Sequence, residues 1–475
     1  RDITNIGGDI SGGNVYLTAQ GDITNRTVAE GAGDDTTYRT VLGKTGSIVS
    51  NNDLLLSAEN DIRNQGADLS ANGTAIISAG NDIVVDTIEN KTTTTRYSES
   101  GNSRTTTTRG KTRHIGSNLN MGGDMLLESG NDTTIATSDV SVGGNMATLT
   151  GGSYSLESRQ DQDTTHTEKR EEGFGVAGGL YGERDTTTDD FTGTNNAANL
   201  NVGGDALIDS GEDIKIQGSN VDVGGNAALR AENDIDILDG LDERRTTTKT
   251  ETMTVFSTDT GSSSASKTDA SAGTGPASAE ASASASSEAG NESALNFYKT
   301  TETNTEETST TSVASSLNVG GNLDVDAGND LTIRGSDVTS KGLSLAGRDI
   351  NVLAGENTHS KTTNEKSFAV GVFVDSGAQA EAGADATATG MTANAKANAD
   401  ASAQAETTAT LGVQDKSSHQ RTDSLTHSAS TLNATGGSVT INAREDATFK
   451  GSEVNAAGNI DIDAKNIRNL AAEDR

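Results

Sequence analysis

The chain has no cysteine and no tryptophan, and aromatic residues make up only 3% of its 475 positions. Without cysteine there are no disulfide staples and no thiolate metal sites. With 31% apolar residues and so few aromatics, the composition is too poor for the cores of several globular domains. No run of residues reaches the length of a membrane-crossing helix, and no signal peptide opens the sequence. Combined with a formal net charge of −34, such poverty describes either a disordered chain or a repeat protein that buries a thin strip per unit. The charge repels nucleic acid and anionic membrane surfaces, favours solubility and condenses divalent cations loosely.

Periodicity chooses between the two. The segment L-N-V-G-G-D-A-L-I-D-S-G-E-D-I-K-I-Q-G at 200–218 returns 21 residues later as V-D-V-G-G-N-A-A-L-R-A-E-N-D-I-D-I-L-D-G. At that offset Leu200 matches Val221, Ile208 matches Leu229, and Ile214 and Ile216 match Ile235 and Ile237. Residues 119–156 repeat the pattern, and further copies lie at 317–353 and 432–467, with degenerate ones at 13–25 and 51–85. Within a copy the apolar residues come in pairs spaced by two, which places both on one face of a short strand. Gly-Gly-Asn/Asp and Asn/Glu-Asp separate the pairs and make corners. Three short strands per copy is one coil of a β-helix. The expected fold is all-β: a right-handed parallel β-helix of about eleven coils, ~50 Å long at ~4.8 Å per coil. A β-sandwich would not hold one offset and one corner chemistry over so many copies.

The coils are placed at about 1–25, 47–85, 117–156, 199–238, 317–354 and 432–475, and the sequence starts and stops inside the pattern, as a segment of a longer chain does. Between pairs of coils the chain leaves the rod, over roughly 26–46, 86–116, 157–198, 239–316 and 355–431. These insertions are rich in Thr and Ser. Alanine occupies alternate positions from Ala378 to Ala388, then changes phase and alternates from Ala393 to Ala405. Folding at Thr389-Gly390-Met391-Thr392 sets Ala388 opposite Ala393, Ala384 opposite Ala397 and Ala378 opposite Ala403, and brings Val370 to Leu411 and Phe368 to Val413. In the preceding insertion Gly273-Thr274-Gly275-Pro276 is the expected turn, with Ala272 and Ala270 facing Ala277 and Ala279 and Val255 near Leu295. The Thr runs at 92–95 and 105–108 flank Ser100-Gly101. The insertions are therefore read as protruding β-hairpins, packing against one another through their Ala faces; the alternative is a flexible Ala/Ser/Thr spacer. Phe368, Val370, Val372, Leu411 and Val413 form the candidate contact patch.

Nothing here points to catalysis, and neither a cofactor nor a small-molecule substrate is expected. His114, His166, His359, His419 and His427 have no second ligand at metal spacing, although a hairpin base would bring His419 and His427 towards His359. Gly43-Lys44-Thr45 and Gly110-Lys111-Thr112 lack the leading glycine of a phosphate loop. Asp61, Asp82, Asp132, Asp213, Asp234, Asp330 and Asp349 recur at one corner and would stack as a ladder that attracts Ca²⁺. The calcium nonapeptide is absent, however, and carboxylates bonded to local backbone explain the pattern more simply. A β-helix lyase or esterase would need clustered catalytic groups and aromatic sugar platforms.

The motif S-N-V-x-V-G-G-N-x-x-L-x-A-x-N-D-I-x-I, at 219–237 and approximately at 316–333 and 138–156, resembles the haemagglutinin repeat of large two-partner-secreted exoproteins. Two-coil modules interrupted by segments such as T-T-T-T-R-Y-S-E-S-G-N-S-R-T-T-T-T resemble the toxin-proximal repeat region of contact-dependent growth-inhibition proteins. The resemblance implies export through an outer-membrane partner transporter and display at the bacterial cell surface. It further implies contact with a target cell's outer membrane or a surface receptor while a C-terminal toxin is delivered. A host-directed adhesin and a passive spacer are the alternatives, and no nucleic-acid partner is expected.

Overall fold

The computed structural model describes the backbone of residues 1–275, 278–389 and 396–475, and the side chains of these except at 261–292 and 375–406. The 21-residue offset is the register of the fold: Leu200 pairs with Val221, Ile208 with Leu229 and Ile214 with Ile235, all in parallel. Each coil contributes one short strand to each of three parallel sheets, which hold 11, 11 and 12 strands. This is a parallel β-helix. Because successive strand residues point to opposite faces, the apolar pairs spaced by two all enter the space between the sheets. Ile23, Ile62, Ile83, Ile214, Ile235, Leu331 and Ile350 lie in one continuous column of that core, each at most 2% exposed. Burying each such side chain stabilises the rod by about 1.5–3 kcal/mol.

Thr133 and Tyr154 occupy successive positions of the same column. The Thr133 hydroxyl is matched by Ser129 and Thr150 at 2.8 and 3.0 Å. The Tyr154 hydroxyl, fully enclosed, finds no hydrogen-bond partner among the described residues, and neither does the Thr148 hydroxyl in the neighbouring sheet. Burial pushes the Tyr154 phenol well above its ordinary pKa, since no group nearby stabilises the anion.

One corner of the rod alternates between two states. In every second coil it is closed by a residue with positive φ: Gly7, Gly66, Gly218, Gly335, Gly451 and, against the trend, Thr137. Thr137 holds a conformation that favours glycine, with a φ of 43°. Its hydroxyl accepts the Arg159 N–H at 2.6 Å and donates to the Asn196 carbonyl at 2.7 Å, tying the roots of the next hairpin to the coil.

In the intervening coils the same corner opens into a hairpin. The ten hairpin arms, labelled in chain order, are β1 (Ala29–Gly33), β2 (Thr37–Leu42), β3 (Ile88–Ser100), β4 (Ser103–Ile115), β5 (Arg159–Phe174), β6 (Gly179–Asn196), β7 (Gly240–Gly275), β8 (Ser278–Val313), β9 (Gly355–Thr389) and β10 (Lys396–Ser428). The Ala faces expected to pack together fall at residues whose side chains lie outside the described ones. Each hairpin joins the next edge to edge, β2 to β3, β4 to β5, β6 to β7 and β8 to β9, to form one ten-stranded antiparallel sheet. The reason is metric. Two coils rise by two strand spacings, ~9.6 Å, which is also the width of a two-stranded hairpin. Neighbouring hairpins therefore arrive with their free backbone groups already in reach of one another.

The hairpin registers differ from the mirror of the alanines. Val370 lies opposite Val413, Val372 opposite Leu411, Phe368 opposite Asp415, Ala384 opposite Ala399 and Ala378 opposite Ala405. In the preceding hairpin Ala272 faces Ala281, Ala270 faces Ala283 and Val255 faces Tyr298. Alternating alanine is degenerate, because a slip of two restores every Ala–Ala pair. The register instead follows the unique pairs Val370–Val413, Gly371–Gly412 and Val372–Leu411. Residues 390–395 and 276–277, and with them the expected partners Ala393 and Ala277, lie outside the described residues. Of the two Thr runs, only Thr95 and Thr108 face each other within their hairpin.

Removing a buried hydroxyl that has no partner relieves its desolvation cost. Tyr154→Phe and Thr148→Val are each expected to raise unfolding stability by about 1 kcal/mol. Denaturant midpoints at unchanged slope measure this; a loss of stability would mean that each hydroxyl has a partner.

Candidate interaction surface

The recurring aspartates occupy the corner that precedes the 12-stranded sheet, and their carboxylates reach the next coil rather than the local backbone. Asp61 Oδ1 accepts the Asp82 N–H at 3.2 Å, Asp82 accepts that of Asp132 at 3.1 Å, and Asp132 accepts that of Ser153 at 2.8 Å. Asp213 accepts from Asp234, Asp234 from Asp330, and Asp349 from Asp446, at 3.0–3.1 Å. Arg348 joins the column, bonding Asp330 and Asp349. Burial raises the Asp61 carboxyl, but bonds from Arg63, Asn81 and the Asp82 N–H outweigh it and hold the pKa below the ordinary value. Asp349 follows the same balance, burial being outweighed by the Asp446 N–H and Arg348. Asp61 and Asp349 are thus held towards the carboxylate form by the groups that bond them.

A second ladder runs along the Gly-Gly-Asn/Asp corner. Asp124 accepts the Asn145 N–H at 2.7 Å, Asn145 that of Asp205 at 2.9 Å, Asp205 that of Asn226 at 2.7 Å, and Asn226 that of Asn322 at 3.0 Å. Asn145 between Asp124 and Asp205, and Asn226 and Asn322 beyond, space the charges along the column. The signal was present in the motif, although it reads there only as a turn former.

The histidines are dispersed. His359 lies opposite Ser424, His419 opposite Asn364 and His427 opposite Glu356, so the hairpin base does not gather them. His427 Nδ1 lies 3.0 Å from Asp474 Oδ1, and His114 sits beside Glu89. His166 Nδ1 lies 2.5 Å from Asp189 Oδ1, which raises the imidazole pKa. Among the described residues no group of three or more His, Asp or Glu could hold a metal ion.

The five patch residues are brought together, and the structure enlarges the patch beyond them. Tyr181, Val255, Tyr298, Val370 and Val413 are successive cross-strand partners, forming one row over β6, β7, β8, β9 and β10. Phe174, opposite Tyr181 on β5, extends it with an edge-on ring contact at 6.0 Å. A second row, Leu295–Val372–Leu411, runs beside the first, and Phe368 flanks it towards the rod. Leu411 and Val413 are 72% and 65% exposed, so this is an uncovered apolar band. On the opposite face at the same height lie buried Thr254, Ser257 and Asn296, with Asn296 and Lys299 both bonded to Asp259. Phe256, at a φ of 53°, and Phe297 face each other where the alternation of sides reverses, and a one-residue shift against β9 follows at Asn296/Tyr298. That shift keeps Tyr298 and Leu295 on the same face as Val370 and Val372. Counted from Gly355, the band stands ~50 Å out from the rod at the usual strand rise.

A β-helix with hairpins tiled into one sheet presents an extended sheet surface beside the rod. The hemagglutinin repeat matches residues 29–108, 101–173, 177–304, 297–412 and 411–475. These windows cover almost the whole chain, and the chain belongs to the hemagglutinin-repeat family. The first four windows each run from one hairpin through two coils into the next, so the family's unit is the two-coil module seen here. A comparison with curated proteins gave no match. Family membership makes this a filamentous-haemagglutinin-like exoprotein chain, of a secreted, cell-surface family.

Asp82→Ala leaves the Asp132 N–H and the Asn131 amide without their acceptor and is expected to cost about 1 kcal/mol, whereas Asp82→Asn keeps Oδ1 and costs less. Denaturant titration separates them; equal losses would contradict the ladder. The lowered Asp61 and Asp349 pKa values add stability that is complete above the unfolded carboxyl value of about 4 and is lost as pH falls through their folded values. Melting temperature should therefore drop on acidification below about pH 4, and the drop should be shallower in Asp61→Asn/Asp349→Asn.

Proposed function

We propose that this chain is a fibre segment of a contact-dependent growth-inhibition type exoprotein, and that its hairpin sheet meets the outer membrane of a target cell during delivery of a C-terminal toxin. The observation that carries the reading is the apolar band. Valine, leucine, tyrosine and phenylalanine lie together on one face of a multi-stranded antiparallel sheet, while the other carries Thr254, Ser257, Asn296, Asp259 and Lys299, with Phe373 as its aromatic. One apolar face with aromatics at its margin is the pattern by which strands engage a bilayer interface. The band's height lets it reach a surface while the strongly acidic rod stays clear of anionic headgroups. Export in this reading uses an outer-membrane transporter partner. A host-directed adhesin is the second reading, favoured by the same uncovered band if a receptor groove accepts it.

The test is cosedimentation of the chain with outer-membrane vesicles and with protein-free vesicles of the extracted lipids. Leu411→Asp/Val413→Asp is expected to lower the bound fraction on both at least tenfold, the loss of about 1.4 kcal/mol or more. Raised salt should strengthen binding by the native chain, because the net charge opposes approach. Binding that survives the double substitution contradicts the proposal. Binding only to protein-containing vesicles, abolished by their proteolysis, turns the assignment to the adhesin.

A further inference from the structure

Among the described residues the outermost strand of the hairpin sheet, β10, pairs as a strand on one side only, with β9. At its root that bare edge is already engaged. The Leu425 N–H donates to the Arg475 carbonyl at 3.0 Å, and the Arg475 N–H donates back to the Leu425 carbonyl at 2.9 Å. Reciprocal bonds between two residues are the signature of one rung of an antiparallel ladder. His427, bonded to Asp474, closes the base of the same rung.

This rung repeats the entry of β9. Thr358 of β9 is the fifth residue past the coil strand that ends at Leu353, and it pairs with Thr310, three before the end of β8. Arg475 is likewise the fifth residue past the coil strand ending at Leu470, and Leu425 lies three before the end of β10. The coil strand Asn466–Leu470 also stands two coils beyond Ile350–Leu353, at the step from which each hairpin departs. Commensurate spacing puts a strand leaving there one strand width from β10.

We propose that the outward edge of β10 is a docking edge for an eleventh antiparallel strand of this chain's own Thr/Ser/Ala excursion type, entering in the register that the Leu425–Arg475 rung sets. Leu425 points both its backbone groups outward, so by alternation Asp423, Arg421 and the odd-numbered residues beyond them do the same. A second copy is the poorer occupant. The Arg421 and Asp423 side chains pair along this edge, and charged edges discourage meeting another edge of the same kind.

The experiment lengthens the chain after Arg475 with a copy of residues 359–431, in the phase that the β9 equivalence sets. A second version carries a Gly/Ser segment of equal length. Amide hydrogen exchange is then read along β10, with the coil amides of Ile214 and Ile235 reporting an intact rod. The odd-numbered amides from 407 to 423 are expected to exchange freely in the 475-residue chain and to gain at least tenfold protection with the excursion copy only. No gain, or an equal gain with the Gly/Ser segment, overturns the proposal. Protection in the 475-residue chain that rises with protein concentration also overturns it, in favour of a second copy.

Discussion

A single length governs this molecule: the distance between hydrogen-bonded strands. It sets the rise of each coil, and through the coils it sets where each hairpin root emerges. Because hairpins leave every second coil, the interval between roots equals the width of a hairpin. The two kinds of sheet, parallel in the rod and antiparallel in the excursions, are thereby held in step. A two-stranded ribbon of Thr, Ser and Ala is marginal alone. Ten arms in one sheet satisfy each other's backbone, and the rod holds their ends in place.

What fixes the rod in turn is a thin core and two columns of corner side chains. The core is one or two aliphatic residues per strand, summed over many coils. At the corners, Asp and Asn accept an N–H from the following coil, so the groups that give the protein its acidity also stitch its coils together. Function is then a matter of what the hairpin sheet carries outward. The apolar band is built from three separate insertions that only the tiling brings into one row.

Much of the fold was legible in the sequence because the repeat is metric. Leu200 and Val221, or Ile214 and Ile235, align by offset, and the offset is the ladder register. The hairpins were legible as alternation, but their registers were not, since alternating alanine accepts any slip of two; the decisive Val370–Val413 and Gly371–Gly412 pairs carry too little signal beside the alanines. Edge-to-edge joining was hidden because it follows from the pitch of the coils and not from any residue of the insertions. The contact patch was visible on β9 and β10, where its residues are close in the hairpin. Phe174, Tyr181, Val255 and Tyr298 were missed because they lie on other insertions, where no long period-two run of apolar residues marks them. The corner aspartates were seen as a column, while the direction of their bonds, to the next coil, depends on stacking.

The most direct test of the commensurate spacing is to duplicate one coil, residues 199–219, so that the roots at Asn196 and Gly240 move apart by one strand spacing. Hydrogen exchange is then compared in the rod and along the β6–β7 junction. If spacing joins the hairpins, the rod stays protected while the amides that pair Tyr181 through Gly193 with Glu243 through Val255 lose protection, and the sheet divides there. If those amides stay protected with three coils between the hairpins, the hairpins associate by their own affinity and the spacing is incidental.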